Sequence, residues 1–596
     1  SSPRWSPDGK LIAFTTGGQI WTMEPDGGDR KQITKISTSA GNPVWSPDGK
    51  WIAFSSEVYP ECETDECNKA EDARVESGKV KAIVTDRLLY RHWVEWRNRK
   101  RTHVFVAPSD GSAPAVDFTP GDFDAPPYAA STGVDYAFSP DSREIAYLRN
   151  PDKVEATSTN SDIYVRSLFD KSEKNITVNN KGYDATPVYT PDGKYIIFRS
   201  QATATFEADR WRLMRYNRAT GETVELTRGF DLQADDVAVS PDSKTIYFSA
   251  SQRGRAPIFT VPVEPDLRQK IATHVKPLVT GGFAGSINVS DDGRTLVFAT
   301  SSIAEPAEIY RANTDGTGMA AVTSINGPQL QPFALKKAED LTWKGALNQN
   351  IHGLIVKPSN FDASKKYPLI VLIHGGPQSA FTDNWGYRWN PQIFSNAGYV
   401  VFMPNPRGSV GYGQKFIDEI SGDWGGKVFV DLKNGIAEVI KQPYIDKNRI
   451  GGAGASYGGY MVDWILGHNN DPRFKFDALV SHAGVYNLES MAGATEELWF
   501  VNWEFKGMPW QNPTQYNRWS PHKFVNNFNT PTLVTAGELD YRVPIDQSLQ
   551  LYTALQLKNV PSKLIIFPDE GHWILKPQNS EFWYSNVLDW FKTHVK

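Results

Sequence analysis

The chain has 596 residues, with 63 Lys and Arg against 68 Asp and Glu and a formal net charge of -5. At a usual ~100–200 residues per domain, that length calls for two large domains, or one domain plus a repeat array, with ample material for a buried core. The charges are interspersed, and the run Arg97, Arg99, Lys100, Arg101 reads as a solvated face. No field of nucleic-acid-binding strength builds up, and apolar runs such as residues 369–373 fall far short of the ~20 residues of a membrane-spanning helix. Neither nucleic acid nor membrane is expected as a partner. High aromatic content suits a strand-rich architecture.

From the first residues a phrase repeats: Trp5-Ser6-Pro7-Asp8-Gly9-Lys10. It returns at residues 45–50, 138–143, 189–194, 239–244 and 289–294. In each copy a strand ends, a Pro-Asp-Gly or Pro-Asp-Ser element turns, and an apolar strand such as Trp51-Ile52-Ala53-Phe54 returns. Further strands follow, such as Ile20-Trp21-Thr22-Met23, and strands in fours make a propeller blade. Pro7, Pro47, Pro140, Pro191, Pro241 and Asp291 stand at near-equal intervals except for one that is nearly double. Residues 59–100 are therefore an insertion in the second blade, after which His103-Val104-Phe105-Val106 resumes the pattern. Within the insertion, residues 86–96 have apolar side chains at helical spacing, which predicts a projecting helix. Six blades are expected over residues 1–326, with a seventh left open. The repeats are similar to those of TolB-type propellers, which by themselves imply a scaffold or binding surface.

The two cysteines, Cys62 and Cys67, lie in an acidic, loop-like part of this insertion. They read as a disulfide hairpin, as two unrelated thiols or as half a metal site; the disulfide is favoured because no second Cys/His cluster is visible. A disulfide argues for the periplasm or the outside of the cell. The opening Ser-Ser-Pro-Arg-Trp fits a processed or trimmed product.

After a linker at residues 327–340 the pattern changes to buried hydrophobic strands alternating with helices, the mark of a mostly parallel sheet covered on both faces. Strands are predicted at 367–373, 399–403, 533–535 and 564–566, and helices at 429–440 and 460–468. The fold class is a β-propeller followed by an α/β-hydrolase over residues 327–596.

The segment Gly454-Ala455-Ser456-Tyr457-Gly458 is a Gly-x-Ser-x-Gly run between strand and helix, a strained turn that exposes the serine hydroxyl. A serine needs a base, and the base needs a carboxylate to fix its tautomer. In chain order after Ser456, Asp540 follows one buried strand and His572 another. Glu538 and Asp546 compete for the acid and His482 for the base, but His482 precedes the acid in sequence; Asp569 and Glu570 read as surface turn residues. The amides of Tyr457 and of Gly375, in His374-Gly375-Gly376-Pro377, are the expected oxyanion donors.

Together with Asn405-Pro406-Arg407-Gly408-Ser409, Gly411-Tyr412-Gly413 and Asp540-Tyr541-Arg542-Val543-Pro544, these motifs resemble the prolyl oligopeptidase family of serine peptidases. The resemblance covers essentially the whole chain. It is nearest to the acylaminoacyl-peptidase and bacterial dipeptidyl-peptidase 5 branch, through Arg91-His92-Trp93, the Cys62/Cys67 loop and the run from Phe206 to Trp211. It implies an exported exopeptidase that releases dipeptides from free N-termini, with an apolar residue at the cleaved position. Acylaminoacyl release and prolyl-type oligopeptidase activity are the alternatives. It implies that Arg542 holds a substrate carbonyl and that Tyr457, Tyr486 and Val543 line the pocket before the scissile bond. Glu95 and Glu207 are candidates for the substrate ammonium, and the propeller for a size filter. No metal or organic cofactor is implied; the partners expected are oligopeptides, with a homodimer left open. A degenerate scaffold is disfavoured because every motif member is present, and an esterase by the large propeller.

Overall fold

A computed structural model describes residues 1–128 and 135–596. The chemistry of the repeated turn explains the first half. In every copy the hydroxyl ahead of the proline position bonds the aspartate two residues on: Ser6–Asp8, Ser46–Asp48 and Thr190–Asp192 at 2.7 Å, and Ser139–Asp141, Ser240–Asp242 and Ser290–Asp292 at 2.6 Å. The same hydroxyl accepts the amide that opens the next strand, as Ser46 does from Trp51 at 2.9 Å. The residue after the aspartate lies in the left-handed region, which suits Gly49 (φ 71) but strains Ser142 (φ 57) and Ser243 (φ 61). Those two serines have a compensation. Their hydroxyls accept the amides of Asp48 and Asp192 in the preceding blade, both at 3.0 Å.

Six four-stranded antiparallel sheets result among the described residues. Their strands fall within residues 4–32, 40–117, 136–175, 184–225, 235–279 and 283–321. Apolar side chains pack between neighbouring blades, as Ile197 and Leu213 do with Phe248 and Phe259.

The insertion departs from expectation. Residues 86–96 do not form a helix: Arg91–His92 and Glu95–Trp96 pair as a small antiparallel hairpin, with Trp93 at φ 53 in its bend. The helical spacing misled because these side chains pair across a hairpin, as Tyr90 and Trp96 stack at 5.6 Å, and meet another domain, as Trp93 does at Trp573. The helix lies earlier, at Asp65–Ser77, where no apolar stripe announces it and Asn68 is its buried residue. Thr64 caps it, accepting the amide of Cys67 at 3.3 Å, and Cys62 and Cys67 form a disulfide across its start.

The second half builds an eight-stranded sheet. Its order is Glu339–Lys344, Asn350–Val356, Val400–Asn405, Tyr367–Ile373, Ile445–Ala455, Ala478–His482, Thr532–Gly537 and Ser562–Phe567. Strand Asn350–Val356 pairs antiparallel with both of its neighbours, and the pairings from Val400–Asn405 onward are parallel. Strand Tyr367–Ile373 is buried throughout. Its Leu369 and Val371 face the core under helices Lys427–Val439 and Tyr457–His468, while Ile370 and Leu372 face the core under Pro577–His594. The propeller docks on this domain through Phe206, stacked on Trp503 at 4.5 Å, and through Asp231, which accepts the Gln414 amide at 3.1 Å.

A buried ion pair ties the loop after strand Val400–Asn405 to helix Lys427–Val439. Arg407 and Asp431 have fully buried side chains joined at 2.7 Å; Arg407 also reaches Glu419 at 2.7 Å and the Ala346 carbonyl at 2.9 Å. Removing one member leaves a desolvated charge. Asp431→Ala is therefore expected to destabilise the protein by about 3–5 kcal/mol, read as a lowered urea midpoint; a shift under about 1 kcal/mol would contradict this role.

Candidate active site

Four parallel strands deliver the site at their carboxyl ends, where such sheets place their chemistry. Strand Ile445–Ala455 runs into Ser456, held at φ 58 and ψ -122 at the start of helix Tyr457–His468. This strained turn lifts the half-buried serine out of the strand line. Glycine is required around it. A Cβ on Gly454 would lie 2.3 Å from the Gly458 carbonyl oxygen, and one on Gly458 2.1 Å from that of Ile373.

Strand Thr532–Gly537 leads to Asp540, 1% exposed. Its Oδ1 accepts the amides of Arg542 at 3.0 Å and Val543 at 2.9 Å, and its Oδ2 lies 2.7 Å from His572 Nδ1. A carboxylate so placed holds the imidazole with Nδ1 protonated and Nε2 directed away. His572, 6% exposed, lies in the loop after strand Ser562–Phe567 and faces the same cavity as Ser456.

His482 supports that loop from behind. Trp583 donates its indole N–H to Thr535 Oγ1 at 3.1 Å, Thr535 Oγ1 lies 2.7 Å from His482 Nδ1, and His482 Nε2 donates to the His572 carbonyl at 3.3 Å. Burial holds its pKa down to about 4, so it is neutral and structural. After strand Tyr367–Ile373, His374 sits 2.7 Å from the Gly375 carbonyl and 2.9 Å from Ser409 Oγ, its pKa also pushed down to about 4 by burial. Gly375 packs on the Ser456 turn: a Cβ there would stand 3.3 Å from Ser456 Cβ. Among the described residues no carbonyl takes up the amide of Gly375 or of Tyr457.

The cavity has a volume of about 400 Å³. Besides Ser456 it is lined by Tyr457, Val485, Met491, Phe500 and Val543, and by the charged side chains Glu207, Glu497 and Arg542. Arg542 donates to Glu496 at 2.9 and 2.7 Å and forms an ion pair with Glu497, while Trp93 of the propeller hairpin lies over its guanidinium at 3.6 Å. The hairpin is pinned here. His92 Nδ1 lies 2.8 Å from Glu496, Tyr541 donates its amide to the Trp93 carbonyl at 3.0 Å, and Arg91 bonds the Ala494 carbonyl. Burial raises the pKa of Glu496, but the hydrogen bond from His92 and the charge of Arg542 outweigh it and hold the carboxyl below its usual value.

Two predicted contacts lie elsewhere. Glu95 lines a separate pocket with Glu57, Arg97, Lys100 and Tyr128, because the hairpin sends Trp93, not Glu95, into the cavity. Tyr486 is 3% exposed and packs on His522 and Phe528, its neighbour Val485 lining the cavity in its place. Glu207 does reach the cavity and accepts the Trp499 indole N–H at 2.9 Å. Glu496 and Glu497 went unmarked in the sequence reading. Their signal was two adjacent acids beside the apolar run from Leu498 to Val501, a context in which buried acids need a cation.

Comparison with known proteins agrees with this architecture. Residues 385–596 match the prolyl oligopeptidase family. Dipeptidyl-peptidase 5 of Porphyromonas endodontalis is 35% identical over 610 residues, spanning 100% of this chain and 85% of that protein. Dipeptidyl-peptidase 5 of Schizosaccharomyces pombe is 33% identical, spanning 88% of this chain and 77% of its own. A solved structure of Pyrococcus horikoshii acylaminoacyl peptidase has the same fold, with a TM-score of 0.81 at 21% identity over 100% of this chain and 88% of that one. The chain belongs to the prolyl oligopeptidase family and is a serine peptidase.

The two buried histidines set a pH dependence. Their folded values of about 4 lie below the ordinary 6.5, so as pH falls below 6.5 the unfolded chain takes up protons that the folded one refuses, and stability declines until about pH 4. Each contributes on the order of 3 kcal/mol over that window. Urea midpoints are expected to fall from pH 6.5 to 4 and to fall less steeply in His482→Gln; a flat profile would contradict the assignment.

Proposed function

We propose that this peptidase releases dipeptides from the free N-termini of oligopeptides, with an apolar residue preferred at the cleaved position. The observation that carries the reading is the exposed carboxylate of Glu207 in the same cavity as Ser456. Its Oε2 is held by Trp499, and Oε1 accepts no hydrogen bond among the described residues. A carboxylate in a walled cavity binds an ammonium by charge-assisted hydrogen bonds. The walls of Val485, Met491, Phe500 and Val543 favour an apolar side chain next to the scissile bond. The relatives named dipeptidyl-peptidase 5 support the same reading.

In the mechanism, Ser456 Oγ attacks the carbonyl carbon while His572 Nε2 takes its proton, and Asp540 stabilises the imidazolium through Nδ1. The amides of Gly375 and Tyr457 receive the oxyanion. Arg542, steadied by Glu496 and Glu497, turns its remaining N–H groups to a substrate carbonyl. The C–N bond breaks as His572 returns the proton to the leaving amine, and water then releases the dipeptide from Ser456. The Cys62–Cys67 disulfide supports an oxidising compartment, periplasmic or extracellular. Protein recovered without reductant should then carry no alkylatable thiol.

The test compares a free Lys-Ala amide with its N-acetylated form and with an acetyl-amino-acid amide, with Ser456→Ala as control. Cleavage of the free dipeptide alone is expected, and preference for the acetylated single residue would overturn the reading. Glu207→Gln should lower kcat/KM for the free dipeptide about 10- to 100-fold, chiefly through KM. An unchanged KM would remove Glu207 as the anchor.

A further inference from the structure

The same cavity is also lined by Ser379, Arg388, Trp389, Trp573, Trp583 and Tyr584, with the Trp573 ring 4.3 Å from that of Trp93. Proton transfer fixes what these residues face. The histidine that deprotonates the serine must later protonate the departing nitrogen, so the leaving peptide lies on the His572 side. Trp573, the next residue after His572, is one of them, and its ring is 6.0 Å from that of His572.

Arg388 is the cation of this group. Its guanidinium carbon lies 4.8 Å from the centre of the Trp573 ring. Among the described residues it forms no ion pair and donates no hydrogen bond, in contrast to Arg542 of the same cavity, which is matched by two glutamates. Burial against the aromatic walls lowers its pKa, as expected of a cation with no anion beside it. The chain accepts strain to shape this wall: Trp389 stands at φ 54, with its ring 4.7 Å from Trp583 and 6.3 Å from His482.

The geometry points to a leaving-group subsite in which Arg388, flanked by Trp573 and Trp389, binds a carboxylate carried by the departing peptide. This inference rests on the dipeptidyl reading. The ammonium of a substrate would sit at Glu207 and a carboxylate at Arg388. A tripeptide or tetrapeptide, spanning at most roughly 3.3–3.6 Å per residue when extended, presents its own terminal carboxylate; a longer peptide presents an acidic side chain.

The test uses unlabelled peptides with one fixed N-terminal dipeptide, each compared within a single protein preparation so that the folded fraction cancels. The first pair is a tripeptide with a free carboxylate and its C-terminal amide. The second is a longer peptide amide with Asp or Asn directly after the scissile bond. The wild type is expected to favour the carboxylate member of at least one pair about fivefold in kcat/KM, the upper range of a partly exposed ion pair. The preference should shrink in high salt, fall to about one in Arg388→Ala and invert in Arg388→Glu. A response in the first pair alone assigns the site to chain termini, and one in the second to acidic side chains. Equal rates within both pairs, or a preference that survives Arg388→Ala, would overturn the subsite while leaving the dipeptidyl activity standing. Failure of the wild type to cleave any member at the dipeptide boundary would instead remove the functional reading and the subsite with it.

Discussion

The turn from Asp540 to Val543 is the constraint on which the site depends. Two of its amides close onto Asp540 Oδ1 and aim Oδ2 at His572, so the carboxylate is fixed before the imidazole is placed. The side chain of Arg542 in the same turn is caged by Glu496 and Glu497 and covered by Trp93. The amide of Tyr541 bonds the Trp93 carbonyl. One four-residue segment thus sets the Asp540 carboxylate, the cavity's glutamate-paired arginine and the contact with the propeller. An arginine so desolvated is stable because both carboxylates are present, and taking either away would leave charge buried without its partner.

The propeller takes part in the site through its insertion. The hairpin carries Trp93 and His92 to the hydrolase domain, and its Val94 fits against Gly571, where a Cβ would lie 2.1 Å from the valine Cγ1. A side chain ahead of His572 would therefore press on Val94 and disturb the docking of the hairpin. The cavity that results is chemically mixed: it is lined by Glu207, Glu497 and Arg542, by apolar side chains such as Val485, Phe500 and Val543, and by Arg388 with the rings of Trp389 and Trp573.

Much of this was legible in the sequence where local chemistry decides structure. The repeated Ser-Pro-Asp-Gly phrase is its own turn, closed by the hydroxyl–carboxylate bond within it, so counting copies finds the blades. Ser456 and its glycines are likewise local, since the close approaches at Gly454 and Gly458 admit no side chain. The insertion was not legible. Val94 and Trp96 remain 42% exposed and Trp93 packs on another domain, so their spacing reports tertiary contacts and not a helical face. The true helix at Asp65–Ser77 is polar around its circumference and is held by its cap and the disulfide, neither of which periodicity reveals. Glu95 and Glu207 were indistinguishable as acids in sequence; which one enters the cavity follows from the hairpin's bend.

The central claim is that a substrate lies across this cavity with its amine at Glu207 and its departing half on the His572 side. A crystal structure of Ser456→Ala with a bound tetrapeptide tests it most directly. The account predicts the terminal ammonium within hydrogen-bonding distance of Glu207, a carbonyl at Arg542, the scissile carbonyl oxygen facing the amides of Gly375 and Tyr457, and the third residue beside Trp573. A peptide bound in the reverse direction, or with its amine in open solvent away from Glu207, would contradict it.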